Sequence, residues 1–115
     1  MLITMLKCKL HRAAVTEGCV DYPGSIAISR ELLDAAGLLP YEKVLVANLR
    51  DGARFETYVI IADAPGQIVL NGAAAHLGKV GDRVIIMSFC DLTPEEAQQH
   101  HPRIVVLDEQ NRIIG

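Results

Sequence analysis

Residues 43–62 read KVLVANLRDGARFETYVIIA, and this stretch decides the class of fold. Two runs rich in β-branched and aromatic residues, 43–49 and 54–62, flank the pair Asp51-Gly52. An Asp-Gly pair between such runs is a strong hairpin signal, because glycine accepts the positive φ that a tight turn needs. We therefore predict two antiparallel strands joined by a short turn.

Residues 2–12 predict a third strand. Leu6, Cys8 and Leu10 alternate with Lys7, Lys9 and His11, which is typical of a strand buried on one face. Short apolar runs predict three further strands, at residues 67–70, 82–89 and 103–107.

Two short helices are predicted from their end signals. Residues 29–36 have Ser29 as a candidate N-cap and Gly37 as the residue that ends the helix. A second helix runs from Thr93 to about His101, because proline follows the threonine and Glu96 suits a capping box. Strands outnumber helices about two to one, and most connections are too short for parallel crossovers. We predict a mainly β fold, a small closed or nearly closed barrel with short helices on its rims, formed by residues 1–115 as one domain.

The composition excludes several classes of function. Fourteen acidic and eleven basic residues give a net charge of −3, without a basic cluster, so nucleic acid is a poor candidate partner. Three cysteines without C-x-x-C spacing indicate free thiols in a reducing compartment and no metal site. No apolar run approaches the roughly 20 residues of a membrane span. We expect a cytoplasmic protein that binds neither membrane nor metal.

The stretch DYPGSIAI, residues 21–28, places Ser25 between a Pro-Gly pair and an apolar run. The simpler interpretation is that the serine closes a turn or caps the helix that follows. The alternative is that the bond between Gly24 and Ser25 is itself the site of chemistry. Residue types alone leave both interpretations open.

Two further patterns are candidates for a binding site. On the strand after Gly52, Arg54 and Tyr58 project to the same face, where a guanidinium could hold a carboxylate and a phenol could give a proton. Periodicity alone favours a solvated strand face with an Arg–Glu pair. The small residues of NGAAA, 71–75, would allow a ligand to approach the backbone closely, or would serve close packing.

Seven stretches, in order and spanning nearly the whole chain, match one family. The chain resembles the pyruvoyl-dependent L-aspartate α-decarboxylases. The matching stretches are KLHRAAVT (9–16), YPGS (22–25), LLDAAGLLP (32–40), DGARFETY (51–58), NGAAAH (71–76), VGDRVII (80–86) and EEA (95–97).

The resemblance implies a double-psi β-barrel that cleaves itself between Gly24 and Ser25. The products would be a β-chain, residues 1–24, and an α-chain, residues 25–115, which carries a pyruvoyl group made from Ser25. This group takes the place of pyridoxal phosphate and forms a Schiff base with L-aspartate. It then accepts the negative charge that remains on the substrate when CO₂ leaves. The product is β-alanine for pantothenate and coenzyme A synthesis. In some members a maturation protein assists the cleavage.

The resemblance also assigns roles to individual residues. Tyr58 matches the proton donor and Ser25 the source of the cofactor. The matched substrate-binding positions are Thr57, Gly72, Ala73, Ala74, Arg54 and Lys9, of which Arg54 and Lys9 would hold chiefly the side-chain carboxylate. His11, Tyr22 and Asn71 match positions that line the site or assist cleavage. The implied assembly is a homotetramer with its sites between subunits.

Two rival interpretations belong to other classes or substrates. A β-barrel binding or assembly module without enzymatic activity would share the fold, although the acidic balance argues against a nucleic-acid partner. A pyruvoyl enzyme for another amino acid would share the chemistry. Arg54 with Lys9 favours an acidic substrate, and glutamate differs from aspartate by one methylene, which an apolar pocket discriminates by only about 1–3 kcal/mol.

Overall fold

The computed structural model describes residues 1–115, and its fold is mainly β. The strands are β1 Ile3–Ala14, β2 Glu17–Cys19, β3 Ser25–Ser29, β4 Lys43–Asn48, β5 Arg54–Ala62, β6 Ile68–Asn71, β7 Arg83–Leu92 and β8 Arg103–Val106. The helices are α1 Arg30–Ala36 and α2 Pro94–Gln99, with a 3₁₀ helix at Gly72–His76. None of these helices has the length and apolar content needed to cross a membrane.

The eight strands form one sheet in the order β2-β6-β3-β5-β4-β7-β1-β8. Three pairs are parallel, namely β1 with β8, β2 with β6 and β3 with β5, and the other pairs are antiparallel. The main core is a largely aliphatic cluster of 20 buried residues, to which strands from β6 to β8 of the sheet contribute. The mainly β prediction with short helices is confirmed, and the architecture is consistent with a small barrel.

The hairpin of β4 and β5 forms as its sequence predicts. Lys43 pairs with Tyr58 and Ala47 with Arg54, so the two runs are antiparallel and in register. Gly52 closes the turn at φ +77, and its N–H donates to the Asn48 carbonyl oxygen. Residues 54–59 then alternate between outer, more exposed positions and inner ones.

Both predicted helices exist, with ends close to those expected. Gly37 ends α1 in the left-handed conformation, at φ 77. Ser29 stands at the N-cap position of α1, although its side chain makes no capping hydrogen bond. At the start of α2 the capping box is complete, since Thr93 Oγ1 accepts from the Glu96 N–H and Glu96 Oε1 accepts from the Thr93 N–H.

The segment that contains Ser25 differs from the simpler expectation. Ser25 neither caps a helix nor closes the turn; it is the first residue of β3. The hydrogen-bonded turn lies earlier, where the Tyr22 N–H donates to the Cys19 carbonyl oxygen. Gly24 does not have a positive φ, and a side chain there would meet no atom within 4 Å. Backbone freedom therefore does not explain glycine at position 24.

Candidate active site

The peptide between Gly24 and Ser25 joins an exposed loop to a buried strand. Gly24 is exposed, whereas Ser25 has 1% of its surface accessible. All five residues of β3 are buried, because β5 and β6 flank the strand on its two edges. This burial fixes the backbone of Ser25, whereas residues 21–24 of the loop before it are exposed.

The hydroxyl of Ser25 has two partners. Asn71 is its cross-strand neighbour on β6, and the Asn71 amide nitrogen donates to Ser25 Oγ over 3.1 Å. The hydroxyl in turn donates to the Pro23 carbonyl oxygen over 3.3 Å. The oxygen is therefore held next to the backbone of the residue that precedes Gly24.

Gly72 lies directly against this loop. Its φ is +62, and a Cβ added there would come within 2.7 Å of Gly24 Cα and 3.1 Å of the Tyr22 carbonyl oxygen. These neighbours are backbone atoms, which cannot turn aside as a flexible side chain would. Only glycine at position 72 allows the 3₁₀ helix to approach the Gly24–Ser25 bond so closely.

A cavity of about 330 Å³ opens beside this bond. We name it the Gly24 cavity. Its walls come from the loop, from β5, from the end of β6 and from the 3₁₀ helix. The lining residues are Gly24, Phe55, Glu56, Thr57, Tyr58, Asn71, Ala73, Ala74 and Leu77.

The structure thus brings together most of the residues that the sequence singled out. Gly24, Thr57, Tyr58, Asn71, Ala73 and Ala74 share one cavity, with Ser25 and Gly72 directly behind it. Tyr22 lies slightly apart. It borders a neighbouring cavity of about 210 Å³, which Asn71 also lines.

Lys9 and His11 are not part of this cavity in the single chain. Their strand, β1, is separated from β5 by β7 and β4. With neighbouring strands about 4.8 Å apart, three steps along the sheet amount to roughly 14 Å. Lys9 nevertheless lies in the same cross-strand row as Glu56. Lys9 pairs with Met87, Met87 with Leu45, and Leu45 with Glu56.

Some of the basic side chains near the site residues form ion pairs, and others do not. Arg54 is exposed at the start of β5, on the outer face that also carries Tyr58, and it takes part in no ion pair. Lys9 is half-buried and is likewise unpaired. Lys43, in contrast, pairs with Glu56 at 3.1 Å. Arg54 and Lys9 therefore keep their charge free for an anion.

His11 lies among positive charges. Burial of the ring lowers the pKa of His11, and the charges of Lys9, Arg12 and Arg83 lower it further. Its Nδ1 atom is buried without a hydrogen-bond partner. The imidazole is therefore neutral at pH 7 and retains an unused polar atom.

Sequence reasoning missed four residues of the site region. Phe55, Glu56 and Leu77 line the cavity, and Tyr41 stacks on Tyr58. Glu56 had a signal, since it alternates with the two candidate residues on β5. Leu77 follows the alanine-rich stretch directly, whereas nothing in the sequence connects Tyr41 with Tyr58. No group of three or more histidine, cysteine, aspartate or glutamate side chains is placed to hold a metal ion.

Several known proteins have sequences similar to that of this chain. The sequence profile of the family described as aspartate decarboxylase matches residues 1–114. An aspartate 1-decarboxylase of Campylobacter jejuni is 56% identical over 111 residues, which are 96% of this chain and 88% of that protein. Similar matches are the aspartate 1-decarboxylases of Clostridium acetobutylicum, 54% identical over 98% of this chain and 90% of its own, and of Caldicellulosiruptor saccharolyticus, 56% identical over 99% and 90%. The chain therefore belongs to the aspartate decarboxylase family.

Proposed function

We propose that the protein converts its own Ser25 into a pyruvoyl group and uses it to decarboxylate L-aspartate to β-alanine and CO₂. The observation that carries this proposal is the buried Ser25 hydroxyl, held by Asn71 at the bond between an exposed glycine and a rigid strand. That bond lies beside a cavity with a tyrosine on its wall, in a chain that belongs to the aspartate decarboxylase family.

The proposed cleavage uses only atoms of this chain and water. Ser25 Oγ attacks the carbonyl carbon of Gly24, and the C–N bond breaks as the nitrogen takes up the proton of the hydroxyl. The amide has then become an ester, and Ser25 has a free amine. Loss of the Cα proton of Ser25 expels the Gly24 carboxylate and leaves a dehydroalanine, which water converts to a ketone with release of ammonia. Residues 1–24 and 25–115 are then separate chains.

The residues around Ser25 fit the group that would result. A ketone at the amino end of β3, when present, supplies an electron sink for the charge that departing CO₂ leaves behind. The backbone of β3 holds that position rigidly, because every residue of the strand is buried. Gly72, Ala73 and Ala74 have no side chain beyond a methyl, so substrate can approach their backbone closely.

The remaining residues bind substrate and move its proton. Tyr58 lines the Gly24 cavity, and its phenol gives a proton to the former α-carbon of aspartate, which becomes the nitrogen-bearing carbon of β-alanine. Thr57 contacts the substrate from the next position of β5. Arg54 and Lys9, both without an ion-pair partner, hold the side-chain carboxylate rather than the one that leaves. A strong ion pair to the leaving carboxylate would stabilise the ground state and slow its loss.

The proposal includes a homotetramer whose sites lie between subunits. Lys9 and His11 do not reach the Gly24 cavity of their own chain, and a neighbouring subunit would supply them. The outer face of the sheet also exposes Phe89 and Ile104, with accessible fractions of 45% and 47%. Light scattering should give a mass near four chains, and a fully active monomer would contradict a shared site. The β-alanine would supply pantothenate and coenzyme A synthesis in the cytoplasm.

Intact mass spectrometry with an activity assay tests the proposal. The purified protein, warmed if necessary, should divide into fragments 1–24 and 25–115, and the larger fragment should react with hydrazine. It should release β-alanine from aspartate, and the same assay with glutamate tests the substrate. The variant Ser25→Ala should remain one chain and be inactive. An intact, hydrazine-unreactive wild-type chain that still decarboxylates aspartate would refute the mechanism.

A further inference from the structure

The side chain of Tyr41 stacks on the side chain of Tyr58. Their ring centroids are 6.4 Å apart and the ring planes differ by 30°. Tyr41 is 78% exposed, whereas Tyr58 is 38% exposed. We propose that Tyr41 is a positioning residue, which holds the phenol of Tyr58 in the orientation needed for proton transfer. This inference rests on the proposed function.

The backbone conformation of Tyr41 is one that tyrosine does not favour, so the conformation of the turn does not explain this residue type. Its φ is +73, in the left-handed region that glycine and asparagine tolerate best. For other L-residues this conformation costs roughly 1–2 kcal/mol. A bulky residue kept in such a conformation suggests that its side chain serves another purpose. The stacking contact with Tyr58 is a candidate for that purpose.

Backbone hydrogen bonds tie Tyr41 to the residue that follows Tyr58. The Tyr41 N–H donates to the Val59 carbonyl oxygen over 2.6 Å, and the Val59 N–H donates to the Glu42 carbonyl oxygen over 3.0 Å. These two bonds extend the pairing with β5 to residues 41 and 42, just before the first residue of β4. The backbone of Tyr41 is therefore held beside the strand that carries Tyr58.

The side chain of Glu42 anchors the loop of residues 37–42, which contains Tyr41, to two other strands. Its carboxylate accepts from Lys7 Nζ at 2.9 and 3.0 Å and from Ser88 Oγ at 2.7 Å. It also accepts from the Leu39 N–H at 3.0 Å, and Lys7 donates in addition to the Gly37 carbonyl oxygen. Lys7 lies on β1 and Ser88 on β7. These bonds prevent the loop from relaxing to a conformation that would suit Tyr41 better.

Proton transfer explains why Tyr58 needs such support. It projects from the outer face of β5, where its cross-strand neighbour Lys43 is paired with Glu56 and does not confine it. A donor must sit within hydrogen-bond reach of the atom it protonates, so an unsupported phenol would spend much of its time in unproductive rotamers. The ring of Tyr41, stacked on that of Tyr58, restricts the rotamers that Tyr58 can adopt.

Two substitutions distinguish the effect of the Tyr41 ring from the effects of its hydroxyl and of its backbone conformation. Tyr41→Phe keeps the ring, and Tyr41→Asn removes it while suiting the positive φ. We expect self-cleavage to proceed in both variants, and the asparagine variant to be no less stable than the wild type. Its kcat for aspartate should fall about three- to tenfold with a smaller change in KM, whereas Tyr41→Phe should keep the wild-type kcat. A wild-type kcat in Tyr41→Asn, or an equal loss in Tyr41→Phe, would overturn the proposal.

A second measurement does not depend on activity. The chain has three tyrosines and no tryptophan, so the ring resonances of a tyrosine-labelled protein can be assigned by substitution. In a full-length Ser25→Ala background, Tyr41→Asn should shift the Tyr58 ring resonances and Tyr41→Phe should barely move them. Identical Tyr58 resonances in all three proteins would overturn the stack. A wild type that makes no β-alanine would contradict the proposed function and the positioning role with it, even if the resonances shift.

Discussion

The amide of Asn71 donates a hydrogen bond of 3.1 Å to the hydroxyl of Ser25. The two residues are direct cross-strand neighbours on β6 and β3, and both are buried. The bond therefore holds Ser25 Oγ without competition from water. If Ser25 Oγ is the nucleophile of self-cleavage, Asn71 fixes the position of this oxygen as a hydrogen-bond donor. Another group must then accept the proton of the Ser25 hydroxyl.

Replacing Asn71 should slow the cleavage. In Asn71→Ala the serine loses a bond of roughly 1–1.5 kcal/mol, so we expect the cleavage rate to fall about tenfold. Asn71→Asp keeps the shape but removes the donor, and it should be at least as slow. Mass spectrometry over a time course at constant temperature measures the rate. Wild-type cleavage by both variants would show that the hydrogen bond has no part in the reaction.

Gly72→Ala should impair both stability and cleavage. The new methyl would meet the backbone of Gly24 at 2.7 Å, which forces the loop away from the 3₁₀ helix. Gly52→Ala is a matched control, because Gly52 also has a positive φ of +77 but would place its methyl in open space. The control should lose about 1 kcal/mol of stability and cleave normally. Thermal unfolding and the fragment masses distinguish the two variants, and equal behaviour would argue against the close approach.

Part of this arrangement could be read from the sequence, and part could not. The alternation on β5 correctly placed Arg54 and Tyr58 on one face, because one side of that strand is buried and the other is not. β3 gives no such alternation, since all five of its residues are buried, and it was missed as a strand. The contact of Ser25 with Asn71 joins positions 46 residues apart. Local patterns carry no information about which distant strands become neighbours.

The glycines at positions 24 and 72 show a second limit of prediction from sequence. A Pro-Gly pair is typical of a turn in which the glycine has a positive φ, yet in the structure Gly72 has a positive φ and Gly24 does not. Residue type shows that a close approach is possible, and only the fold shows which of two nearby glycines makes it. Tyr41 is the opposite case. Its positive φ runs against the preference of its residue type, so no propensity argument could have placed it beside Tyr58.

The carboxylate of Asp82 should make stability depend on pH in the acid range. The amide of Asn48, the Lys79 N–H and the guanidinium of Arg50 lower the pKa of Asp82 to about 2. In the unfolded chain the pKa would be about 3.9. The ionised form thus stabilises the folded state above about pH 4, and this contribution is lost as the pH falls towards 2.

Asp82→Asn tests this pH dependence. Near pH 7 we expect its Tm to lie about 5 °C below that of the wild type, as a loss of roughly 1 kcal/mol would give in a domain of this size. The difference should shrink as the pH falls from 4 towards 2. Asp63→Asn is the control, because Asp63 is exposed and takes part in no ion pair. A difference that stays constant from pH 7 to 2 would contradict the assigned pKa.

Arg54→Ala should weaken the capture of aspartate more than it slows the chemistry. The guanidinium is exposed and unpaired, so its loss removes a charge-assisted contact with substrate without breaking a contact inside the protein. Such contacts contribute about 1.5–3 kcal/mol, which corresponds to a KM about 10- to 100-fold higher. Arg30→Ala removes another exposed arginine, at the start of α1, and should leave KM unchanged. An unchanged KM in Arg54→Ala would assign the carboxylate to a different cation.

Tyr58→Phe should separate self-cleavage from turnover. In the proposed mechanism the cleavage requires the hydroxyl oxygen of Ser25, whereas the phenol of Tyr58 acts only later, on a carbon of the substrate. The phenylalanine ring can still stack on Tyr41, so the loop and the wall of the cavity should be preserved. We expect normal fragments 1–24 and 25–115, normal reaction with hydrazine, and a kcat lower by about 10²–10⁴, the usual range for a general acid. Wild-type turnover with a full content of the reactive ketone would mean that water or another group gives the proton, and Tyr58 would then be part of the cavity wall alone.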